Sequence, residues 1–182
     1  MAVEYYLISI FLLFIWAAVL YNRLVLDKNR VLQAWSDINV QLKRRHDLIP
    51  KLVDAVTTYA DYERSTLDAL TRLRTEAEHA GRPGKKSGLE QQLSGRLREL
   101  IAVAEAYPEL KAGDQYLQLL RQLSEVGNHI QHARRYYNGS VRNLNVRIDS
   151  FPDLIIARLF GYRPVEFFEL ESSLERQPPE IG

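Results

Sequence analysis

The longest apolar run of the sequence lies near its beginning. Residues 5–21 form an unbroken apolar and aromatic stretch in which Ser9 is the one plainly polar member. As an α-helix this run spans roughly 25 Å, close to the ~30 Å hydrocarbon core of a bilayer. A signal peptide and a buried core helix are the alternatives, but Glu4 precedes the run, and Val19, Leu20 and Tyr21 stand where a signal peptide has small residues. We therefore predict a transmembrane anchor over residues 1–22.

Beyond the anchor, apolar residues recur at steps of three and four, which places them on one face of an α-helix. This stripe consists of Val31, Trp35, Ile38, Leu42, Ile49, Leu52, Val56, Leu67 and Leu70. It keeps its register across Pro50, and no glycine interrupts it. The pattern predicts one long helix, residues 22–77, kinked at Pro50, with a second helix capped by Asp47 as the alternative.

A loop is predicted next, because residues 80–88 hold three glycines, one proline and three basic residues. A shorter helix should follow and end near Pro108. The most regular pattern then predicts a third helix over residues 114–151, ended by Pro152. Its stripe consists of Leu119, Leu123, Val126, Ile130, Ala133, Tyr137, Val141, Leu144, Ile148 and Phe151. Residues 154–160 predict a last short helix with Gly161 as its cap.

Helices of this length bury their stripes only against comparably long neighbours. We therefore predict an all-α fold, in which an N-terminal transmembrane helix precedes an antiparallel bundle of three or four long helices. The predicted domains are the anchor (1–22), the helical bundle (23–170) and an acidic, frayed C-terminal tail (171–182).

Composition narrows the possible functions. The chain has 24 Lys and Arg against 23 Asp and Glu, and it has no cysteine. The near-zero net charge argues against a nucleic-acid binder, and the lack of cysteine excludes thiol chemistry and disulfides.

The charge is nevertheless unevenly distributed. Arg23, Lys28 and Arg30 follow the anchor, whereas no Lys or Arg precedes it. The positive-inside rule then predicts an external N-terminus and a cytoplasmic body. The same three residues are candidate membrane-interface residues, within reach of anionic headgroups.

Two stretches of the chain resemble the LemA family. The first, residues 21–74, contains YNRLV, AWS and QLKRRHDLIPKLV; the second, residues 104–168, contains ARRYYNGSVRNLN and FPDLIIARLFGY. The chain departs from the usual family pattern at Asn39, Lys51, Thr58 and Gly127. The resemblance implies a bacterial membrane protein with a single span and a helical bundle, and it implies no settled reaction or cofactor. It also implies roles in membrane remodelling or membrane-protein quality control, with a membrane protease among the possible partners.

A metal site is the first candidate chemistry to weigh. His129 and His132 lie on one helix with Glu125 nearby, but the Glu-x-x-His spacing of metal-binding bundles does not occur around them. We predict no metal, no cofactor and no catalytic residue.

Polar residues on or beside the stripes form a second candidate. This interhelical polar network consists of Arg45, Glu63, Glu105, Arg134, Arg135, Tyr137 and Asn138. Arg45 and Glu63 would lie about 27 Å apart on one helix, so their partners must come from other helices. The network is either structural, with paired charges that set helix register, or a site for a partner or small anion.

Three functions follow from these patterns. The first is a non-enzymatic scaffold or adaptor at the bacterial inner membrane, acting through self-association and contacts with other membrane proteins. The second is a lipid-interacting, membrane-remodelling module. The third is a sensor of a ligand or metal at the interhelical polar residues. The expected partners are membrane lipids, other membrane proteins and further copies of the chain, and no nucleic acid.

Overall fold

The computed structural model describes residues 2–58 and 64–168. Their regular structure is helical, which confirms the all-α prediction. The helices are α1 (Ala2–Thr57), α2 (Arg64–His79), α3 (Pro83–Ala104), α4 (Pro108–Lys111), α5 (Asp114–Asp149) and α6 (Asp153–Leu159).

The first part of α1 has the properties of a membrane span. Within the described ranges, one helix is long and apolar enough to cross a bilayer, and this helix is α1. The large apolar side chains of its first four turns are exposed, Phe14 by 73%. This exposure is contrary to the alternative of a buried core helix.

Helix α1 continues through Pro50, as predicted, but ends at Thr57, so the predicted continuous helix to residue 77 is wrong. The hydroxyls of Thr57 and Thr58 donate to backbone carbonyls one turn earlier. Such local bonds and β-branching both weaken a helix. A continuous helix would place Leu70 about 21 Å beyond Val56, whereas the two residues belong to one buried cluster.

The predicted loop over residues 80–88 is also shorter than expected. Only residues 80–82 separate α2 from α3, and Pro83 occupies the first turn of α3, where a missing N–H costs nothing. The two helices pack together as a hairpin. As a result Lys86 and Ser87, predicted to be solvated, are buried.

Helices α5 and α6 follow the predicted pattern with one exception. Gly161 ends α6 at φ 69°, a left-handed conformation that favours glycine. Phe151, predicted to close the buried stripe of α5, lies after its last residue and is 80% exposed. The chain leaves the helix at Asp149, so the 3.6-residue period no longer determines where residue 151 lies.

The chain divides into two compact units that do not follow chain order. Unit 1 comprises Met1–Asp37 and Arg135–Glu166, and unit 2 comprises Ile38–Arg134 and Phe167–Gly182. Helices α1 and α5 each contribute to both. The predicted domain boundaries stay predictions, and the predicted acidic tail lies outside the described residues.

In unit 1, α1 packs antiparallel to the end of α5. Trp35 lies against Tyr137 with ring centroids 5.5 Å apart, and Asp27 pairs with Arg147. The segment after α6 is tied to α5 by Asn145, whose side chain exchanges two hydrogen bonds with the backbone of Val165. The hydroxyl of Tyr137 donates to the carbonyl of Glu166 at 2.9 Å.

In unit 2, the core is an apolar cluster drawn from α1 to α5. Its buried members are Ile49, Leu52, Val56, Leu70, Leu93, Leu97, Leu100, Ala104, Leu110 and Tyr116. Because these side chains come from five helices, each helix loses part of its support if one member is truncated.

Leu52 provides the test of this core. It is fully buried, so Leu52→Ala should lower the free energy of unfolding by ~2–5 kcal/mol. Leu117→Ala on the exposed side of α5 should change it by less than about 0.5 kcal/mol. Urea titration of the full chain in non-ionic detergent, followed by far-ultraviolet circular dichroism, measures both. Equal losses would contradict the assignment of the core.

Candidate functional site

A buried carboxylate, Glu90 of α3, joins two side chains of α1. Arg45 donates from its guanidinium to Glu90 Oε2, and His46 Nε2 lies 2.7 Å from Oε1. A carboxylate only accepts, so this geometry assigns the Nε2 proton to His46. Arg45 also donates to Ser94 Oγ at 3.0 Å and to the Glu90 carbonyl at 3.3 Å. These contacts hold α1 and α3 in one register.

The environment of Glu90 favours its ionised form. Burial alone would raise its pKa, but the hydrogen bond from His46 and the charge of Arg45 outweigh burial and lower the pKa below its ordinary value. The carboxylate is therefore charged and paired at neutral pH. It is a structural anion rather than a proton donor.

A buried cation, Lys86, lies one turn before Glu90 on α3. Lys86 Nζ donates to Asn39 Oδ1 of α1 at 2.8 Å. Burial lowers the pKa of Lys86, and the nearby Glu90 and Glu78 partly oppose that shift.

Next to the Glu90 cluster lies a cavity of about 330 Å³ within unit 2. Its wall combines residues of α1, α3 and α5 with Phe168. The lining residues are Leu42, Arg45, Ser87, Glu90, Gln91, Ser94, Arg98, Ser124, Gly127, Asn128, Ile130, Gln131, Arg134 and Phe168. Among the described lining residues, three guanidinium groups and one carboxylate give this wall a net positive charge. Arg134 lies over the ring of Phe168, 5.1 Å from its centroid.

Unit 1 contains its own buried carboxylate, Asp27 of α1. Arg147 Nε donates to Asp27 at 2.6 Å, and its Nη1 lies 3.3 Å from Asp153. Arg30 pairs with the other oxygen of Asp27 at 3.0 Å. Burial would lower the pKa of Arg147, but the two carboxylates raise it, so the guanidinium stays charged.

The predicted network is distributed over both units. Arg45 and Arg134 line the unit 2 cavity, whereas Arg135, Tyr137 and Asn138 belong to unit 1. Tyr137 is buried, Asn138 is half-buried and Arg135 is exposed. Glu105 is exposed beyond the end of α3, away from the cavity, and Glu63 lies outside the described residues.

The predicted membrane-interface residues Arg23, Lys28 and Arg30 are all exposed. Two of them have contacts within unit 1. Lys28 Nζ lies 5.7 Å from the ring centroid of Tyr162, and Arg30 pairs with Asp27. The interface role itself stays a prediction.

Sequence reasoning missed the buried side chains of Asp27, His46, Lys86 and Glu90, and it missed the half-buried Arg147. A signal for some of them was present. Asp27 lies four residues before Val31 and His46 four after Leu42, so both continue the α1 stripe. Glu90 lies three residues before Leu93 on α3. The start of this helix was not recognised, because residues 80–88 were predicted to be a loop.

The histidines considered for a metal lie at the surface. His129 Nε2 is 3.6 Å from Glu125, and both side chains are more than half exposed. Within residues 2–58 and 64–168, no group of three or more potential ligands is placed to hold a metal ion.

A long apolar helix that continues into packed helices with paired internal charges defines a membrane-associated, all-α protein. The sequence profile of the LemA family matches residues 34–182. The chain therefore belongs to the LemA family.

Relatives in named organisms agree with this assignment. Protein LemA of Metamycoplasma hominis is 29% identical over 157 residues, which cover 85% of this chain and 71% of the relative. Magnetosome protein MamQ 2 of Paramagnetospirillum magneticum is 25% identical over 175 residues, covering 82% of this chain and 64% of the relative. Magnetosome protein MamQ of Magnetospirillum gryphiswaldense is 25% identical over 159 residues, covering 73% and 58%. This chain thus spans less than two thirds of the length of either magnetosome protein.

Glu90→Gln tests whether the buried carboxylate holds unit 2 together. The variant leaves Arg45 buried without its counter-charge, so we expect a loss of ~3–5 kcal/mol in unfolding free energy at pH 7. Glu99→Gln is the matched control, since its pair with Arg96 is exposed on the same helix and contributes about 0–1 kcal/mol.

The pH dependence of that loss has a defined sign. The lowered pKa of Glu90 means that its stabilisation is complete above the unfolded value of about 4.3 and disappears as pH falls through the lower folded value. The difference between wild type and variant should shrink in that acidic range. A difference independent of pH would contradict the assigned ionisation.

Tyr137→Phe tests the contact that closes unit 1. Burial and the nearby Glu166 raise the pKa of Tyr137 to about 12, and the variant should lose ~1 kcal/mol with its hydrogen bond. The stabilisation should be constant below pH ~10 and disappear as pH rises through the folded value. Urea titrations across this range, with Tyr136→Phe as the exposed control, measure it; an equal loss in the control would contradict the assignment.

Proposed function

We propose that the protein is a non-enzymatic, membrane-anchored helical adaptor. It acts through self-association and protein-protein contacts at the bacterial inner membrane, and its body lies in the cytoplasm. The observation that carries the proposal is the arginine-lined cavity of unit 2. The basic residues Arg23, Lys28 and Arg30 that follow the span support the orientation.

The cavity suits an acidic segment of a partner protein. Glu90 is already bonded to Arg45 and His46, so Arg98 carries the positive charge that the wall presents to a partner. Guanidinium groups bind carboxylates through paired, charge-assisted hydrogen bonds. The nearby amides of Asn128 and Gln131 would add hydrogen bonds to the same segment. A peptide with one or two carboxylates therefore complements this wall.

The chemistry of the wall supports a binding role rather than a reaction. Among its described residues, the hydroxyls belong to Ser87, Ser94 and Ser124, and none is a histidine. Ser94 Oγ donates to the Glu90 carbonyl at 2.8 Å, so it lacks a base to activate it. The names of the relatives describe no chemical reaction.

Quality control of membrane proteins, with a membrane protease as one partner, is the process we assign to the adaptor. A short acidic segment at the membrane surface would be the recognised feature. The membrane-remodelling alternative has specific support in the exposed side chains of Arg23, Lys28 and Arg30 beside the span. The contacts of Lys28 and Arg30 within unit 1 make it the second choice.

Site-specific photocrosslinking in cells tests the proposal. A photoreactive residue at Gln131, in the cavity wall, should capture a membrane protein through an acidic segment identified by mass spectrometry. Arg98→Gln should weaken the contact by about tenfold, equivalent to ~1.4 kcal/mol, because one charge-assisted bond is lost. The yield of this crosslink should fall accordingly.

Two controls make the result specific. Arg96→Gln changes an exposed arginine of the same helix that pairs with Glu99, and it should leave the yield unchanged. A photoreactive residue at Arg121, on α5 but outside the cavity wall, should not capture the same segment. Equal yields for the two arginine variants, or capture of neutral segments only, would contradict the proposed recognition.

A further inference from the structure

Four apolar side chains at and around α6 are exposed on unit 1. Phe151 is 80% exposed, Ile155 55%, Leu159 74% and Phe160 55%. Ile155 and Leu159 are four apart within α6 and share one face of this helix, and Phe151 lies just before it. The opposite side of α6 is used by the fold, since Ile156 and Ala157 are buried. Thus α6 is two-sided, with one apolar face inward and a second one outward.

This outward face lies beside the end of the apolar span. The ring of Phe160 packs on that of Tyr21, the last residue of the apolar run, with centroids 4.6 Å apart. At the other end of α6, Asp153 is bonded to Arg147, which is bonded to Asp27 of α1. Asp27 and Tyr21 are about 9 Å apart along α1. Helix α6 therefore lies within roughly 10 Å of the point where the span leaves the hydrocarbon core.

This distance from the hydrocarbon core places α6 in the headgroup layer. A bilayer is ~40–45 Å thick with headgroups and ~30 Å without them, which leaves about 5–8 Å on each side. Apolar side chains at this depth reach the acyl chains, while the polar groups of their helix stay hydrated. The charges of α6 suit this placement, because Asp153 is paired with Arg147 and the exposed Arg158 is attracted by anionic headgroups.

From this geometry we infer that α6 is an interfacial membrane-docking helix, inserting Phe151, Ile155 and Leu159 into the leaflet next to the span. The occupant of the exposed apolar face is lipid, because the face continues the apolar surface of α1 through the contact of Phe160 with Tyr21. Unit 1 is then held at the membrane at two places, the span and α6. This surface is separate from the unit 2 cavity and does not depend on the function proposed for it.

The absence of cysteine from the chain permits a direct test. Single variants Ile155→Cys and Leu159→Cys of the full chain carry a nitroxide label and are reconstituted in phosphatidylethanolamine and phosphatidylglycerol vesicles. Electron paramagnetic resonance compares the accessibility of each label to oxygen, which concentrates in lipid, and to a water-soluble nickel chelate. The ratio of oxygen to nickel accessibility at both positions should approach that of Phe14→Cys in the span.

Leu32→Cys is the matched control. Leu32 is an equally exposed apolar residue of unit 1, on α1 but about 16 Å beyond Tyr21. Its ratio should be severalfold lower than at residue 159. Equal ratios at residues 32, 155 and 159 would overturn the inference. Exclusion of both reagents at residue 159 would also overturn it, since that result means protein, either a partner or a second copy, covers the face.

A second variant links insertion to the apolar side chains themselves. With the label at residue 155, the double substitution Phe151→Gln and Leu159→Gln should shift the label toward the aqueous ratio, whereas Leu32→Gln should not. Circular dichroism verifies that each variant keeps its helix content. An unchanged ratio in a folded double variant would contradict docking through these residues.

Discussion

Helix α1 changes its surroundings near Leu20, since residues 3–16 are exposed on every side of the helix, whereas Leu20 is 4% exposed. Before this point the helix is apolar on all sides, as lipid requires, and beyond it one face packs inside unit 1 through Leu20, Leu24 and Val31. The anchor and the first packed face are therefore parts of one continuous helix. This helix positions every element packed on this part of α1 relative to the membrane. The location of α6 next to Tyr21 follows from it.

Buried carboxylates determine the register of the helices around α1. In unit 1, Asp27 of α1 pairs with Arg147 of α5, and in unit 2, Glu90 of α3 pairs with Arg45 of α1. An unpaired charge inside a protein is strongly destabilising, so helices slipped by one turn would be disfavoured. Apolar stripes alone select register less sharply, because Leu and Val exchange places at modest cost. The ion pairs thus complement the apolar cores of the two units.

Hydrogen bonds inside unit 2 distinguish the charged side chains that stabilise the fold from those that are available to a binding partner. Glu90 and His46 are bonded to each other, and Lys86 is bonded to Asn39, so these groups belong to the fold. The cavity wall with Arg98 suits carboxylates, whereas the exposed face of α6 suits acyl chains. The cavity wall is charged and the exposed face of α6 is apolar, so the two surfaces suit different kinds of partner.

The sequence by itself determined the features that depend on neighbours within a few turns. The apolar run of α1, the stripe of α5, the short α6 and its Gly161 cap are all set by helical periodicity and local backbone preference. Tertiary structure alone decided that α1 ends at Thr57, that α3 begins at Pro83 and that Phe151 is exposed. It also selected Glu90, which is outside the predicted network, as the buried partner of Arg45. The physical reason is that periodicity identifies which side chains share a face, but the burial and pairing of that face depend on helices distant in the chain.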